Sequence, residues 1–264
     1  MRNVAFFCLA CVFLFVLGCG HEATVDEVVK MVTQAAGGAE KLDAITDQVS
    51  TWEFTMYKMP ATEMKGMEKE KTEEGKGMTS TMIITAKKPN KLRFDFKGAD
   101  GNVYMSSCYD GEKAWQTMMG QHMAQSETQA HEFEVMASTW IDGFLHYQDK
   151  GFTLKLLPTE VLSGKKYMVL QSTDKYGNVQ KYYIDPQTHY IERQAGKMSN
   201  MQGQLEDMYM TFSDYKMFDG VAVPQQVAQY DSNDEMVWEA KLTEVKFNTG
   251  VQDDVFMEKA MTMK

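Results

Sequence analysis

Cys19 ends a short apolar run near the start of the chain, in the segment Leu17-Gly18-Cys19-Gly20. The run covers about 14 residues, from Val4 to Leu17, and Arg2 precedes it. About 20 apolar residues are needed to span the hydrocarbon core of a bilayer, so this run is too short to cross one. A basic start, a short apolar stretch and small residues at its end are typical of a secretory signal peptide. The sequence therefore predicts export, with a thiol at the position where cleavage should fall.

The four residues around Cys19 resemble the lipobox of bacterial lipoproteins. The resemblance implies that residues 1–18 are removed, that Cys19 receives a diacylglyceryl group on its sulfur, and that its new amine is acylated. Two or more acyl chains anchor a protein stably at a membrane, whereas a single acyl chain gives only marginal binding. The alternative is a plain signal peptide that happens to contain a cysteine. Because Gly20 rather than Asp follows the cysteine, we expect an outer-membrane lipoprotein that faces the periplasm.

A second chemistry is offered by methionine, of which the chain has 23. The segment 118–123 reads MMGQHM, so Met118, Met119, His122 and Met123 bring three thioethers and one imidazole together in sequence. Thioethers are soft ligands that suit Cu(I), and this segment is a candidate copper site. Methionine is also a flexible filler of apolar cores and a common residue on adaptable apolar surfaces. All three interpretations remain open from the sequence.

Catalytic motifs are missing from the sequence. The five histidines form no His-Glu-x-x-His pair, and no Gly-x-Ser-x-Gly elbow, glycine-rich phosphate loop or Cys-x-x-Cys pair occurs after residue 18. We therefore expect neither an enzyme nor a bound cofactor.

The charge balance narrows the choice of partners. After removal of residues 1–18 the chain keeps 26 basic and 37 acidic side chains, a net charge of about −11. Such a surface argues against nucleic acid as a partner, because phosphate backbones bind basic proteins. Cys108 is the one cysteine left besides Cys19, so no disulfide within the chain is expected and a buried thiol is predicted.

Periodicity predicts the elements. Residues 25–36 have helical spacing, with Thr24 and Glu27 placed as a capping box, and residues 39–45 continue as a short helix. A third helix with an aromatic stripe is predicted for 128–146, and a short closing helix for 252–263. A solvated hairpin loop is expected at 60–77. Alternating apolar residues predict strands along most of the chain, at 51–57, 78–86, 91–97, 103–109, 114–118, 152–157, 166–172, 180–185, 190–195, 204–215, 221–230 and 236–247.

These segments favour a mainly β (α+β) fold with one domain at 25–264, joined through a tether at 19–24. Short strands joined by hairpins indicate an antiparallel meander of roughly 10–11 strands. Helices laid across one face would cover its apolar side chains.

Several short motifs resemble those of the superfamily of lipoprotein carriers and outer-membrane lipoprotein-sorting proteins. In chain order they are GGAEKL at 37–42, PNKLR at 89–93, YDGEKAW at 109–115, YIDPQT at 183–188 and FSDY at 212–215. The resemblance implies an open half-barrel with helices on its concave side, where acyl chains of lipoproteins or other lipids bind.

Nine aromatic residues are candidates for the lining of such a concave face, because apolar ligand sites are mostly aromatic and aliphatic. They are Trp52, Phe54, Phe94, Phe96, Trp115, Trp140, Phe144, Tyr167 and Tyr182. The predicted function is an envelope lipoprotein, monomeric, that binds acyl chains or another apolar ligand in lipoprotein or lipid sorting. The alternatives are a sensor or docking module without catalysis, and a methionine-rich Cu(I) binder.

Overall fold

A computed structural model describes residues 23–58, 77–200 and 203–258 of the protein. The expectations for Cys19, the signal peptide and the start of the tether fall outside the described residues. So do nearly all of the predicted loop at 60–77 and the last part of the predicted helix at 252–263.

The described residues contain fifteen strands. They are β1 Asp47–Met56, β2 Met78–Lys87, β3 Lys91–Lys97, β4 Val103–Tyr109, β5 Ala114–Met118, β6 Gln121–Met123, β7 Thr153–Leu162, β8 Lys165–Thr173, β9 Val179–Ile184, β10 Ile191–Ser199, β11 Leu205–Ser213, β12 Lys216–Phe218, β13 Val221–Val223, β14 Gln226–Asp231 and β15 Met236–Phe247. All but β12 and β13 join one antiparallel sheet, in the order β6-β5-β4-β3-β2-β1-β15-β14-β11-β10-β9-β8-β7. The predicted antiparallel, mainly β fold is confirmed, and β6 and β7 form two edges that do not pair with each other.

The predicted number of strands was too low, since the main sheet has thirteen. The predicted strand at 221–230 divides into β13 and β14, because Pro224 and Gln225 interrupt it. Proline has no N–H to donate to a ladder, so a strand commonly ends there. β12 and β13 form a separate small hairpin, and β6 adds a short edge strand that sequence periodicity missed.

The sheet consists of two meanders rather than one. Strands β1–β6 form the first, and the second runs from β7 to β15. They join where β1 pairs with β15, for example at Phe54 opposite Ala240. The chain must therefore pass from the β6 edge to the β7 edge, and it does so across one face of the sheet.

Helix α3, Glu127–Thr139, forms most of this crossing. Thirteen strands about 4.8 Å apart make an arc of roughly 58 Å, whereas a helix of this length is about 20 Å long. Yet α3 contacts β3, β4 and β5 on one side and β10 on the other. The sheet therefore curls around α3. We call the face that carries α3 the inner face and the opposite one the outer face.

Two helices precede the sheet: α1, Val25–Ala36, and α2, Ala39–Ala44. The predicted capping box is confirmed, since Thr24 and Glu27 exchange both hydrogen bonds at the start of α1. Helix α1 buries Val28 and Val29 against the β7–β10 part of the inner face. Among the described residues, none of the helices is both long and apolar enough to cross a membrane.

The third helix is shorter than predicted. It ends at Thr139, and residues 140–151 form a series of turns. The hydroxyls of Ser138 and Thr139 both donate to the carbonyl of Val135, a bonding pattern that competes with continued helix. Gly143 then adopts a φ of 55°, which suits glycine and ends regular helix geometry. Within the described part of the predicted helix at 252–263, the structure forms one 3₁₀ turn, Asp253–Val255.

Candidate functional site: the inner face of the sheet

Strands β1 and β3 bring four of the nine predicted aromatic residues together on the inner face. Trp52, Phe54 and Phe96 are buried, and Phe94 is half-buried beside them. The rings of Phe54 and Phe96 lie 5.1 Å apart in an edge-to-face arrangement, a favoured geometry for aromatic pairs. The even-numbered positions of these strands face inward, as the predicted period of two requires.

Helix α3 and the turn that follows it cover this aromatic cluster. Trp140 lies edge-on to Phe94 at a centroid distance of 5.4 Å, and Phe133 of α3 lies 5.5 Å from the same ring. Ala137 is the one fully buried residue of the helix's 13, and ten others, including Phe133, are half-buried. Helix α3 therefore covers the cluster mainly with half-buried side chains, whereas α1 buries Val28, Val29 and Thr33.

The remaining inner-face candidates form a second cluster under α1. Phe144 packs edge-on against Tyr182 with ring centroids 4.7 Å apart. Leu170 and Ile184, which belong to the same cluster, are fully buried. Burial raises the pKa of the Tyr182 hydroxyl to about 12. This part of the inner face is ordinary core.

The structure places Trp115 and Tyr167 on the outer face, so neither lines the concave side. Trp115 lies opposite Cys108 in the β4–β5 register and packs under Phe256 of the C-terminal segment. Tyr167 contacts Tyr183, 6.0 Å away on the neighbouring strand, again on the outer face. The pattern of alternation was right at both positions, but the outer face carries aromatic residues as well: Trp115 is buried there, and Tyr167 is half-buried.

A set of half-buried apolar residues continues the inner face beyond α3, and aromatic spacing alone missed it. The strand registers place these side chains on the same side as Phe54. They are Met56, Met78, Met105, Met198, Met210, Phe212 and Trp238. The excess of methionine at alternating strand positions was the available signal. Unbranched thioethers adapt to irregular apolar ligands, so this end of the face could accept hydrocarbon.

The far side of α3 is held by polar contacts to the turn between β8 and β9. Lys175 Nζ lies 2.6 Å from Glu134 Oε1, and the hydroxyl of Tyr176 donates to the same carboxylate. Burial tends to raise the pKa of Glu134, but the hydrogen bonds from Lys175 and Tyr176 outweigh it and lower that pKa. The backbone N–H of Ser199 in β10 donates to Glu132 Oε1 at 3.0 Å. Helix α3 is thus joined to both halves of the sheet.

Two open recesses lie elsewhere on the surface. One, of about 560 Å³, is lined mainly by polar residues of the β11–β12 and β14–β15 region, including Asp214 and Lys241. The other, of about 280 Å³, lies beside Glu53 and Lys97. Neither of these two recesses lies between α3 and the sheet.

The four candidate copper ligands do not converge. Met118 and Met123 project from the inner side of the β5–β6 hairpin, whereas His122 lies opposite Thr117 on the outer side. His122 Nδ1 is 2.8 Å from Glu258 Oε1, and Met119 is about half exposed at the turn. Among the described residues, no cluster of three or more histidine, cysteine or acidic side chains is placed to hold a metal ion.

No family model and no curated protein matches the sequence. Solved structures match over most of the chain. A LolA superfamily protein from Nitrosomonas europaea has a TM-score of 0.57 at 12% identity, covering 90% of this chain and 99% of that one. An outer-membrane lipoprotein-sorting protein domain from Vibrio parahaemolyticus has a TM-score of 0.57 at 15% identity, covering 86% and 95%. A DUF1329 family protein from Desulfovibrio piger has a TM-score of 0.56 at 15% identity, covering 88% and 97%.

These likenesses establish a LolA-type fold for this chain. The resemblance predicted from the short motifs is therefore confirmed at the level of the fold.

Proposed function

We propose that this protein binds an acyl chain, or a similar apolar ligand, on the inner face beside and beneath α3. The observation that carries the proposal is the half-exposed methionine and aromatic surface that continues from Phe54 past the helix. Each buried methylene contributes roughly 0.8 kcal/mol, so a sixteen-carbon chain could gain on the order of 10 kcal/mol before the costs of binding. Binding of this strength needs no catalytic group.

Helix α3 would act as the movable cover. Ala137 is its one fully buried residue, its other apolar side chains on the sheet are half-buried, and its contacts to the β8–β9 turn are polar and reach solvent. An acyl chain that takes the place of Phe133 against Phe94 would replace one apolar contact by another. Closure of α3 over the chain would then exclude water, and reopening would release the ligand. The protein would act as a carrier and not as a catalyst.

The place of action follows from the lipobox resemblance around Cys19, which lies outside the described residues. We infer a chain that loses residues 1–18, is tethered at the outer membrane by residues 19–24 and works as a monomer in the periplasm. The Vibrio relative is described as an outer-membrane lipoprotein-sorting domain, which supports lipoprotein acyl chains as the ligand class.

The test uses the Cys19→Ser chain, which cannot be acylated and therefore needs no detergent. Native mass spectrometry would look for co-purified lipid, and a fluorescent sixteen-carbon fatty acid would be titrated into the protein. Met56, Met105 and Met210 would be changed together to Gln, which keeps their length but is polar. The matched control changes Met119, Met217 and Met257 to Gln, since these three are 51%, 56% and 59% exposed.

We expect the inner-face variant to bind the probe about tenfold more weakly, because a polar group would be buried against hydrocarbon. The control variant should bind as the parent does. Absence of both co-purified lipid and probe uptake would contradict the proposal, as would equal losses in the two variants.

A second candidate function is a docking or sensor module of the envelope. It is favoured by the close packing of Phe94 against Phe133 and Trp140, which leaves the outer face as the accessible surface. A protein that folds but takes up no probe would favour this alternative.

A further inference from the structure

Arg193 occupies an unusual position on the outer face. It lies on β10 between two tyrosines of the neighbouring strands, Tyr183 on β9 and Tyr209 on β11. Its guanidinium carbon is 3.4 Å from the ring centroid of Tyr209 and 5.8 Å from that of Tyr183. The planar group is therefore fixed by stacking, and this orientation is set before any ligand arrives.

Arginine is rare in this protein, which has three arginines among its 27 basic residues. Arg93, the other arginine among the described residues, is paired, with its Nη2 atom 2.8 Å from Asp95 Oδ1. Arg193 differs, because within the part of the chain that the structure describes it has no ion pair and no hydrogen bond.

Three acidic groups close to Arg193 in sequence or on the neighbouring strands and turns already have partners. Lys165 binds Glu192, the residue before Arg193, at 2.7 Å, and Lys181 binds Glu160 at 2.8 Å. The hydroxyl of Tyr209 donates to Asp234. Glu192 and Glu160 thus balance lysines and Asp234 accepts from a tyrosine hydroxyl, while Arg193 has no counter-ion among the described residues.

Stacking favours the charge of a guanidinium but satisfies none of its five N–H donors. Arg193 Nε is buried without a partner, whereas its two terminal nitrogens keep access to solvent. Thr211 lies directly opposite Arg193 in the β10–β11 register, on the same face. Its hydroxyl makes no hydrogen bond among the described residues, so it offers a further donor beside the guanidinium.

We propose that Arg193 and Thr211 form a binding site for an oxyanion, a phosphate or carboxylate group, with Tyr183 and Tyr209 as its walls. A guanidinium with two open N–H groups matches two oxygens of such a group, and the threonine hydroxyl would donate to the same group. The site is independent of the proposed acyl-chain site, because it lies on the opposite face of the sheet. Its ligand could be a free anion or the head group of a phospholipid at the membrane to which the chain is tethered.

The test uses nitrogen NMR of the Cys19→Ser chain, in which the two arginines that remain after removal of residues 1–18 give two Nε signals. Inorganic phosphate and acetate are titrated separately, with chloride adjusted to hold ionic strength constant. We expect the Arg193 signal to shift and saturate with at least one of the two anions, while the paired Arg93 signal stays in place. Equal, unsaturated drift of both signals with both anions would overturn the proposal.

Three variants and one control separate a site from a general charge effect. Thr211→Val should weaken binding of the saturating anion about threefold. Arg193→Lys and Arg193→Gln should remove the rise in melting temperature that this anion causes in the parent. The control, Lys197→Gln, removes one positive charge from the same strand and face and should keep that effect. If Lys197→Gln lost it equally, nonspecific charge would be the cause and the proposal would fail. A vesicle experiment separates the two sources of the anion. If the chain sediments with phosphatidylglycerol vesicles but not with phosphatidylcholine vesicles, and Arg193→Gln abolishes this sedimentation, the ligand is a lipid head group. If Arg193→Gln leaves the sedimentation unchanged, the ligand is a free anion.

Discussion

The imidazole of His131 stacks on the ring of Tyr176, with centroids 3.7 Å apart and planes inclined by 6°. His131 belongs to α3, which crosses the inner face, and Tyr176 belongs to the turn between β8 and β9. Tyr176 is 40% exposed, so the contact lies at the surface and not in the core. Helix α3 is therefore positioned by a solvent-accessible contact, and loss of this contact should release the helix without unfolding the sheet.

Tyr176→Ala should increase local opening of α3. Stacked ring pairs contribute about 1 kcal/mol, so amide hydrogen exchange over 127–139 should be roughly fivefold faster, with little change in global unfolding. Hydrogen-exchange mass spectrometry measures both. The matched control is Tyr57→Ala, because Tyr57 is also 40% exposed and also donates to a glutamate, but contacts β15 instead of α3. Exchange over α3 that stays the same in both variants would show that the stack does not position the helix.

Glu132→Gln should leave stability unchanged or raise it by up to about 1 kcal/mol. Burial raises the pKa of Glu132, which shows that its charge is poorly solvated, although the N–H of Ser199 donates to it. Glutamine keeps an acceptor oxygen for that N–H and removes the charge. Urea unfolding would measure the change, with Glu206→Gln, an exposed position, as the control. A loss above about 1 kcal/mol in Glu132→Gln alone would mean that the charge itself is needed.

Asp185 should make the protein sensitive to acid. Burial tends to raise its pKa, but Lys165 at 2.5 Å and the N–H groups of Gln187 and Thr188 outweigh this and hold the pKa at about 2. Because the folded value lies below that of an unfolded aspartate, the stabilisation is complete above about pH 4 and is lost as the pH falls toward 2.

Asp185→Asn should therefore cost about 1–2 kcal/mol near neutral pH, a figure reduced for the solvent exposure of Lys165, and much less at pH 2, where half of the folded carboxylate is protonated. Urea titrations across that range measure the difference between variant and parent. Asp207→Asn, at an exposed position, serves as the control and should show no such dependence. A cost for Asp185→Asn that is constant with pH would mean that the side chain stabilises the turn by shape alone.

The local elements of this fold can be predicted from short segments of sequence. The capping pair of Thr24 and Glu27 predicts the start of α1, and the Asp110-Gly111 turn predicts the β4–β5 hairpin. The pairing of β1 with β15 depends on residues about 190 positions apart, such as Phe54 and Ala240. Hydrophobic alternation predicts where a strand lies, but it does not predict which distant strand pairs with it. The sequence therefore did not predict that the sheet consists of two joined meanders.

The residues of the candidate site could be predicted only in part. Period-two alternation predicts that Trp52 and Phe54 share a face of the sheet, but it does not predict which face the helices cover. Trp115 alternates as regularly as Phe54, yet it is buried by a C-terminal segment on the other side. The distinction required knowledge of where residues 250–258 pack, which local patterns do not carry.

Phe256→Ala should expose the thiol of Cys108 and destabilise the protein by about 3 kcal/mol, since a buried aromatic side chain is removed from a packed cluster. Phe256 and Cys108 are both fully buried, and Trp115 Nε1 donates to the Phe256 carbonyl at 2.9 Å. Burial also raises the pKa of the Cys108 thiol, so the parent should react very slowly with a disulfide reagent.

In the Cys19→Ser chain without residues 1–18, labelling of Cys108 should become at least about tenfold faster in Phe256→Ala. Met257→Ala, next in sequence and 59% exposed, should label as slowly as the parent; equally slow labelling in Phe256→Ala would show that the C-terminal segment does not protect Cys108.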